Sequence, residues 1–269
     1  MSRTFLATLH FDGTGFLGWQ RQPSGRSVQL EFERVLERLF ERPTVAHASG
    51  RTDAGVHAEG IGVSFSAPAQ WQAPAVHRAL NALLPRDCWI ESVRPARPDF
   101  HARRSAIARR YRYDIGLDAA SASPFRRPFE WSLARALDPT ALGDSAGRVL
   151  GQHDFRAFAA KGEPRPHYLC TIRLCRWLER PEGRGVSLHI EADRFLHHMV
   201  RMLVGTMVDI GIGRRPAADI DMLLASDDNQ ATSPPAPAQG LYFVCATYPP
   251  DCFALPVVEE EAHALVHDA

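Results

Sequence analysis

The stretch FLHHMVRMLVGTMVDIGIG, Phe195 to Gly213, is the most apolar run in this chain of 269 residues, and its reading decides the fold. It approaches the length of a membrane span. Yet it carries two histidines, an arginine and an aspartate, which a helix crossing a bilayer would tolerate poorly. The run therefore predicts a core helix over about 196–212, apolar almost all round, and such a helix must be covered by other elements. No membrane segment is expected elsewhere. Arg201 is the informative residue, because an unpaired guanidinium buried there would cost several kcal/mol. His197, Arg201 and Gly205 recur at every fourth position and are expected on one face. Gly205 would let another backbone approach closely. Asp209 is about 12 Å along the axis from Arg201, so the carboxylate that meets this arginine must come from elsewhere in the chain.

Outward from that helix, the chain alternates strand and helix patterns. Residues Thr4 to Asp12 alternate as a strand does and run into the turn-forming DGTGFLGW. Val28, Phe32, Val35, Leu36 and Leu39 follow at helical spacing, with Ser27 placed as their N-cap. Ile61, Val63 and Phe65 mark a second strand, Pro74 to Leu84 a second helix, and CWIESV (88–93) a third strand. SAIARRYRYDIG (105–116) reads as a strand, and DPTALGDSAGRVLGQHDF (138–155) as a helix ending near Gly151. Val186, Leu188, Ile190 and Ala192 alternate cleanly. After the apolar helix come a short helix beyond Pro216, a loop DDNQATSPPAPAQG and a last strand LYFVCATY. The pattern, repeated twice, predicts an α/β protein of two sandwich domains whose sheets can join, residues 1–105 and 106–269, with no flexible linker between them.

Hydrophobic residues make up 45% of the chain and the formal net charge is zero, so the total charge gives no argument for a polyanionic partner. The distribution differs from the sum: seven arginines lie between Arg94 and Arg112 against the single acid Asp99, while the tail VVEEEAHALVHDA is acidic. Lys161 is the only lysine. Guanidinium groups suit phosphate and stacked bases, although a GC-rich genome also replaces Lys by Arg throughout. The five cysteines lack C-x-x-C spacing and the start MSRTFLATLHFDG lacks a signal-peptide pattern, so the expectation is reduced thiols in the cytoplasm.

The carboxylate most suited to Arg201 is Asp53, within SGRTDAGVHAEG (Ser49–Gly60), where Gly50 and Gly55 permit a tight path. An ion pair with Arg201 would supply the anion that a nucleophile or base requires. Asp53 and Arg201 acting only as a lock between domains, or not meeting, is the other reading, and these residues alone leave both open. Tyr111 and Tyr113 are two apart on a strand and share a face, with Arg110 and Arg112 on the other. An aromatic beside guanidinium groups is how an extruded base is held, but Tyr and Arg also alternate in ordinary sheets. Adjacent histidines such as His197 and His198 point to different sides of a helix, so no metal site is expected. The DGTGFLGWQ loop matches neither phosphate-binding glycine pattern, so no nucleotide cofactor is expected.

Seven blocks in collinear order resemble the tRNA pseudouridine synthases of the TruA type: FDGTGFLGWQRQP with SVQ, GRTDAGVHA, ALNALLP, FHARRSAIARRYRY, GQHDFRAF, FLHHMVRMLVG and GLYFVCATYP. The resemblance implies that Asp53 is the catalytic carboxylate, that Tyr111 packs against the target base, that Arg201 pairs with Asp53, and that Arg51 helps extrude the nucleotide. It implies mostly antiparallel sheets joined across a central catalytic cleft, no cofactor or metal, and a homodimer acting on uridines 38 to 40 of the tRNA anticodon stem-loop. Arg103, Arg104, Arg109 and Arg110 are expected on the RNA backbone. Phe11, Leu17 and Leu169-Cys170 depart from the family's common residues without touching this set. Two other functions are weighed against it. One is a non-catalytic RNA-binding or RNA-folding protein with the same cleft, which the intact Asp53, Tyr111 and Arg201 set disfavours. The other is a hydrolase, which ordinarily needs a second carboxylate.

Overall fold

Phe5, Ala7, Leu9 and Phe11 alternate along β1 (Ser2–Phe11) and are buried on one face, while Leu6 on the other face is buried in a second, smaller cluster with Ala96, Phe100 and Ala102. The computed structural model describes residues 2–160 and 167–253; Lys161 and the acidic tail from Val257 lie outside them. Beyond β1, α1 (Val28–Phe40) starts where Ser27 Oγ accepts the Leu30 N–H and stops at Glu41, in the left-handed region at φ 54°. It buries Val28, Phe32, Val35 and Leu36 as the helical spacing predicts, and its last buried residue is Phe40, with the expected Leu39 only half-buried. A two-residue strand β2 (His47–Ala48), then β3 (His57–Pro68), α2 (Ala73–Leu83) and β4 (Cys88–Ala96) complete the first half.

The second half comprises β5 (Ala108–Gly116), the short β6 (Trp131–Ser132), α3 (Pro139–Arg148), β7 (Gly151–Asp154), β8 (Leu169–Glu179), β9 (Gly185–Ala192), α4 (Met199–Gly211), α5 (Asp219–Leu224) and β10 (Leu241–Thr247). All strands belong to one sheet of order β4-β1-β3-β10-β5-β9-β8-β7, with β2 beside β3 and β6 beside β5. It is antiparallel except at β10–β3 and β5–β6. The expected sheets therefore do join, and the last strand joins them: β10 lies between β3 and β5, pairing Tyr242 with His57 on one side and with Arg112 on the other. Arg112 reinforces the seam. It donates to both carboxylate oxygens of Glu59 on β3, at 2.7 and 2.8 Å, and its guanidinium lies 4.4 Å over the Tyr242 ring.

Two expectations need correction. The core helix begins at Met199, because His198 is in the left-handed region at φ 64° and breaks the helical path. DPTALGDSAGRVLGQHDF is a helix only to Arg148, since Gly151, at φ 95°, starts strand β7. No helix among the described residues is long and apolar enough to cross a membrane.

Gly205 has the role anticipated for it. A Cβ there would sit 2.1 Å from the Pro234 carbonyl oxygen, so the 234–236 segment rests directly on α4. The Ala236 N–H donates to the Arg201 carbonyl at 2.9 Å in the same contact. Gly205→Ala is expected to destabilise the protein by about 2 kcal/mol, overpacking outweighing the better helix propensity of alanine. Urea unfolding of the two proteins measures this, and equal midpoints would contradict the close contact.

Candidate active site

The glycines around Asp53 place its loop against a second loop rather than leaving it free. Gly13 and Gly18 of DGTGFLGW are so close to it that a Cβ would come within 2.1 Å of Val56 O and 2.4 Å of Thr52 O. The Trp19 N–H donates to Thr52 O and the Gly55 N–H to Phe16 O, at 3.1 and 3.3 Å. Gly55 has φ 79°, where a side chain would strain the turn. This loop, which matched no nucleotide-binding pattern, is the cradle of the Asp53 turn.

Buried His57 completes the cradle. Its Nδ1 accepts the Gly13 N–H at 3.0 Å, so the Nε2 proton is free to donate to Pro128 O, also at 3.0 Å. Only 2% of the residue is exposed. Burial lowers its pKa below 6.5, overriding the opposite pull of the Asp12 carboxylate. A histidine whose folded pKa is depressed leaves the unfolded chain holding more protons. Its stabilising contribution is thus complete above pH 6.5 and lost as pH falls from 6.5 through the folded value. We expect the melting temperature to drop across that window in the parent protein and to drop less in His57→Asn. Parallel pH dependence in the two would rule His57 out as the cause.

Asp53 and Arg201, 148 positions apart, meet as the sequence suggested: Arg201 Nη1 donates to Asp53 Oδ2 at 2.9 Å. Their side chains are 21% and 17% exposed. Arg201 also donates through Nε to Ala236 O at 2.8 Å, which fixes the plane of the guanidinium. His197 and His198, expected to diverge, both face it: His197 Nε2 is 3.3 Å from Oδ1 and His198 Nε2 is 3.3 Å from Oδ2. They precede the helix, and the left-handed His198 turns both rings the same way. Burial, ahead of the opposing pull of Asp53, lowers the His198 pKa and holds the ring neutral near pH 7.

A cleft of about 820 Å³ opens above this group. Tyr111 forms part of its wall, the ring packed edge-on against Phe195 and Phe243 at 5.0 Å from each. Burial raises the Tyr111 pKa well above 10, so the hydroxyl keeps its proton. Arg51, Arg103, Arg104, Arg109 and Arg194 all line the cleft, and Asp53 is its single acid among the lining residues.

The arginines expected on RNA divide into three kinds. Arg51 has no partner within the described protein, and Arg51 and Arg104 present their charge to the cleft together with Arg103. Arg109 is committed internally: it donates to the carbonyls of Ser49, Ala106 and Asp193 at 3.2, 2.9 and 2.8 Å, and to that of Arg103. It binds the start of the Asp53 loop to two neighbouring segments. Arg110 points to the opposite face of β5, where it is paired with Glu191 at 2.6 Å, and it does not line the cleft. Sequence reasoning missed Arg194, Phe195 and the inward turn of the two histidines. It also missed Thr52, whose hydroxyl is buried beside Asp53 with no partner among the described residues. The signal present for the first of these was position, directly ahead of the apolar run.

One acid tied to a guanidinium, in a cleft that five arginines line, suits a polyanionic substrate, and an α/β protein with such a cleft belongs with those that bind nucleic acid. Comparison with known proteins makes this specific. The family model described as tRNA pseudouridine synthase matches residues 7–103 and 146–249. The chain is 40% identical to the tRNA pseudouridine synthase A of Myxococcus xanthus, over 87% of this chain and 88% of that one. It is 37% identical to the protein of that name from Geobacillus kaustophilus, over 96% and 100%, and 40% identical to that from Thermus thermophilus, over 92% and 97%. The chain belongs to the tRNA pseudouridine synthase family.

Proposed function

We propose that this protein isomerises uridine to pseudouridine in tRNA, at positions 38 to 40 of the anticodon stem-loop, with Asp53 as its catalytic group. The observation that carries this reading is the Asp53–Arg201 pair at 2.9 Å, at the base of a cationic cleft in a chain of this family. The uracil is detached from ribose C1′ at N1, turns within the cleft and is rejoined through C5. C5 gives up its proton and N1 gains one, so nothing is added or removed overall.

A base inside a helical stem is out of reach of Asp53, and extruding it costs a few kcal/mol. Arg51, Arg104 and Arg194 offset that cost by contacts to the flanking phosphates. Tyr111 and Phe195 supply the apolar surface against which the uracil packs. Arg201 keeps the carboxylate aimed at the sugar and base. Two copies of the chain share one tRNA in this reading, and the protein works in the cytoplasm. In keeping with that compartment, Cys88 and Cys175 are buried thiols, which burial pushes up to about 12.

Tritium release from tRNA carrying 5-tritiated uridine tests the reaction directly. Release from a transcript with uridines at 38 to 40, and none when all three are cytidine, is the expected result. Absence of release from every tRNA, with binding retained, would leave an RNA-binding protein and overturn the proposal.

A further inference from the structure

We propose that Asp53, His197 and His198 form a site for a transition-metal dication of the Zn²⁺ type, and that metal bound there inhibits the enzyme by occupying its carboxylate. The inhibition rests on the catalytic role proposed for Asp53; the binding site does not. One ligand atom from each of the three residues lies within 4.8 Å of the other two, and each imidazole Nε2 is 3.3 Å from a carboxylate oxygen, His197 from Oδ1 and His198 from Oδ2. A tetrahedral ion with bonds of about 2.0–2.1 Å sets neighbouring ligand atoms about 3.3–3.4 Å apart. Each imidazole nitrogen already stands at that distance from one carboxylate oxygen, the two rings lie 4.0 Å apart at their centroids, and side-chain adjustment within the 4.8 Å cluster would bring one oxygen and both nitrogens onto a single ion.

The chemistry of the set is selective. Two imidazoles and one carboxylate suit zinc, copper or nickel, whereas magnesium and calcium prefer oxygen ligands throughout. Both histidines and Asp53 line the open cleft, so the ion has a path in and a fourth position for water. No electron transfer is involved, and the ion is an inhibitor rather than a cofactor.

Arg201 opposes the metal. It occupies one of the carboxylate's roughly four acceptor positions and places a positive charge 2.9 Å from Oδ2. The same guanidinium that equips Asp53 for catalysis thereby keeps the site from holding metal permanently, and the inhibition is reversible.

Cobalt(II) titration of the untagged full-length protein, read by the visible absorption of tetrahedral Co²⁺ and followed by displacement with Zn²⁺, tests the site. Zn²⁺ is expected to displace Co²⁺ and to stop tritium release over the same free concentration range, with activity restored by a chelator. The double variant H197N/H198N should bind at least about 100-fold more weakly. Arg201→Met should bind at least about tenfold more tightly although its turnover falls, a gain that misfolding cannot produce. Unchanged affinity in the histidine variant, no gain in Arg201→Met, or full activity with the site occupied would each overturn the proposal. If the parent protein showed no turnover, the reaction assigned above would fail, and the cobalt titration would decide the site by itself.

Discussion

Asp53→Asn is expected to lower pseudouridine formation by about 10⁴-fold or more while changing tRNA affinity only a few-fold. The substitution keeps the size of the side chain and removes its charge and basicity. No second carboxylate can stand in, since Asp53 is the only acid among the lining residues. Binding should survive because the phosphate-facing groups, Arg51, Arg104 and Arg194, lie around the carboxylate rather than on it. Loss of one negative charge from a cationic cleft should if anything tighten RNA slightly. The stability of the variant should fall by about 1–3 kcal/mol, the usual effect of removing a partner from a charged hydrogen bond. Single-turnover tritium release beside filter binding separates the two quantities. Activity within tenfold of the parent would remove Asp53 from the catalytic role, and an equal loss of binding would make it a structural residue.

What the sequence could and could not disclose follows from where each signal resides. Hydrophobic period identified β1, α1 and β9, because their buried stripes are uninterrupted. It could not identify β8, whose register slips between Ile172 and Leu174, so that Cys170 and Ile172 alternate on one phase and Cys175 on the other. Nor could it show β7, four residues with no buried side chain. The partnership of Asp53 and Arg201 was legible because a buried guanidinium demands an anion. The inward turn of the histidines was not, since it depends on one left-handed residue, His198, that a helical pattern conceals. Arg109 and Arg110 look alike in sequence. Only strand alternation and the carbonyls around Arg109 separate a residue that braces the Asp53 loop from one on the far face.

Arg201→Met tests whether the ion pair serves the reaction or only the fold. Methionine keeps much of the aliphatic stem in the α4 packing but removes two interactions, the bond to Asp53 and the Nε donation to Ala236 O. If the guanidinium orients the reacting carboxylate, kcat should fall by about 10²–10³-fold, the range found when a preorganised charge is removed from a site, with KM little changed. A purely structural pair would instead lower the melting temperature and leave kcat per folded molecule near the parent value. Arg201→Lys sharpens the contrast. It restores a positive charge without the planar fork that reaches Asp53 and Ala236 together, so it should recover stability better than turnover. A double-mutant cycle with Asp53→Asn completes the test, because the stability losses of the two single variants share one interaction and should not add. The loss in the double variant should be smaller than their sum by about 1 kcal/mol or more. Additive losses would mean that each residue is held by its other neighbours and that the 2.9 Å contact contributes nothing of its own.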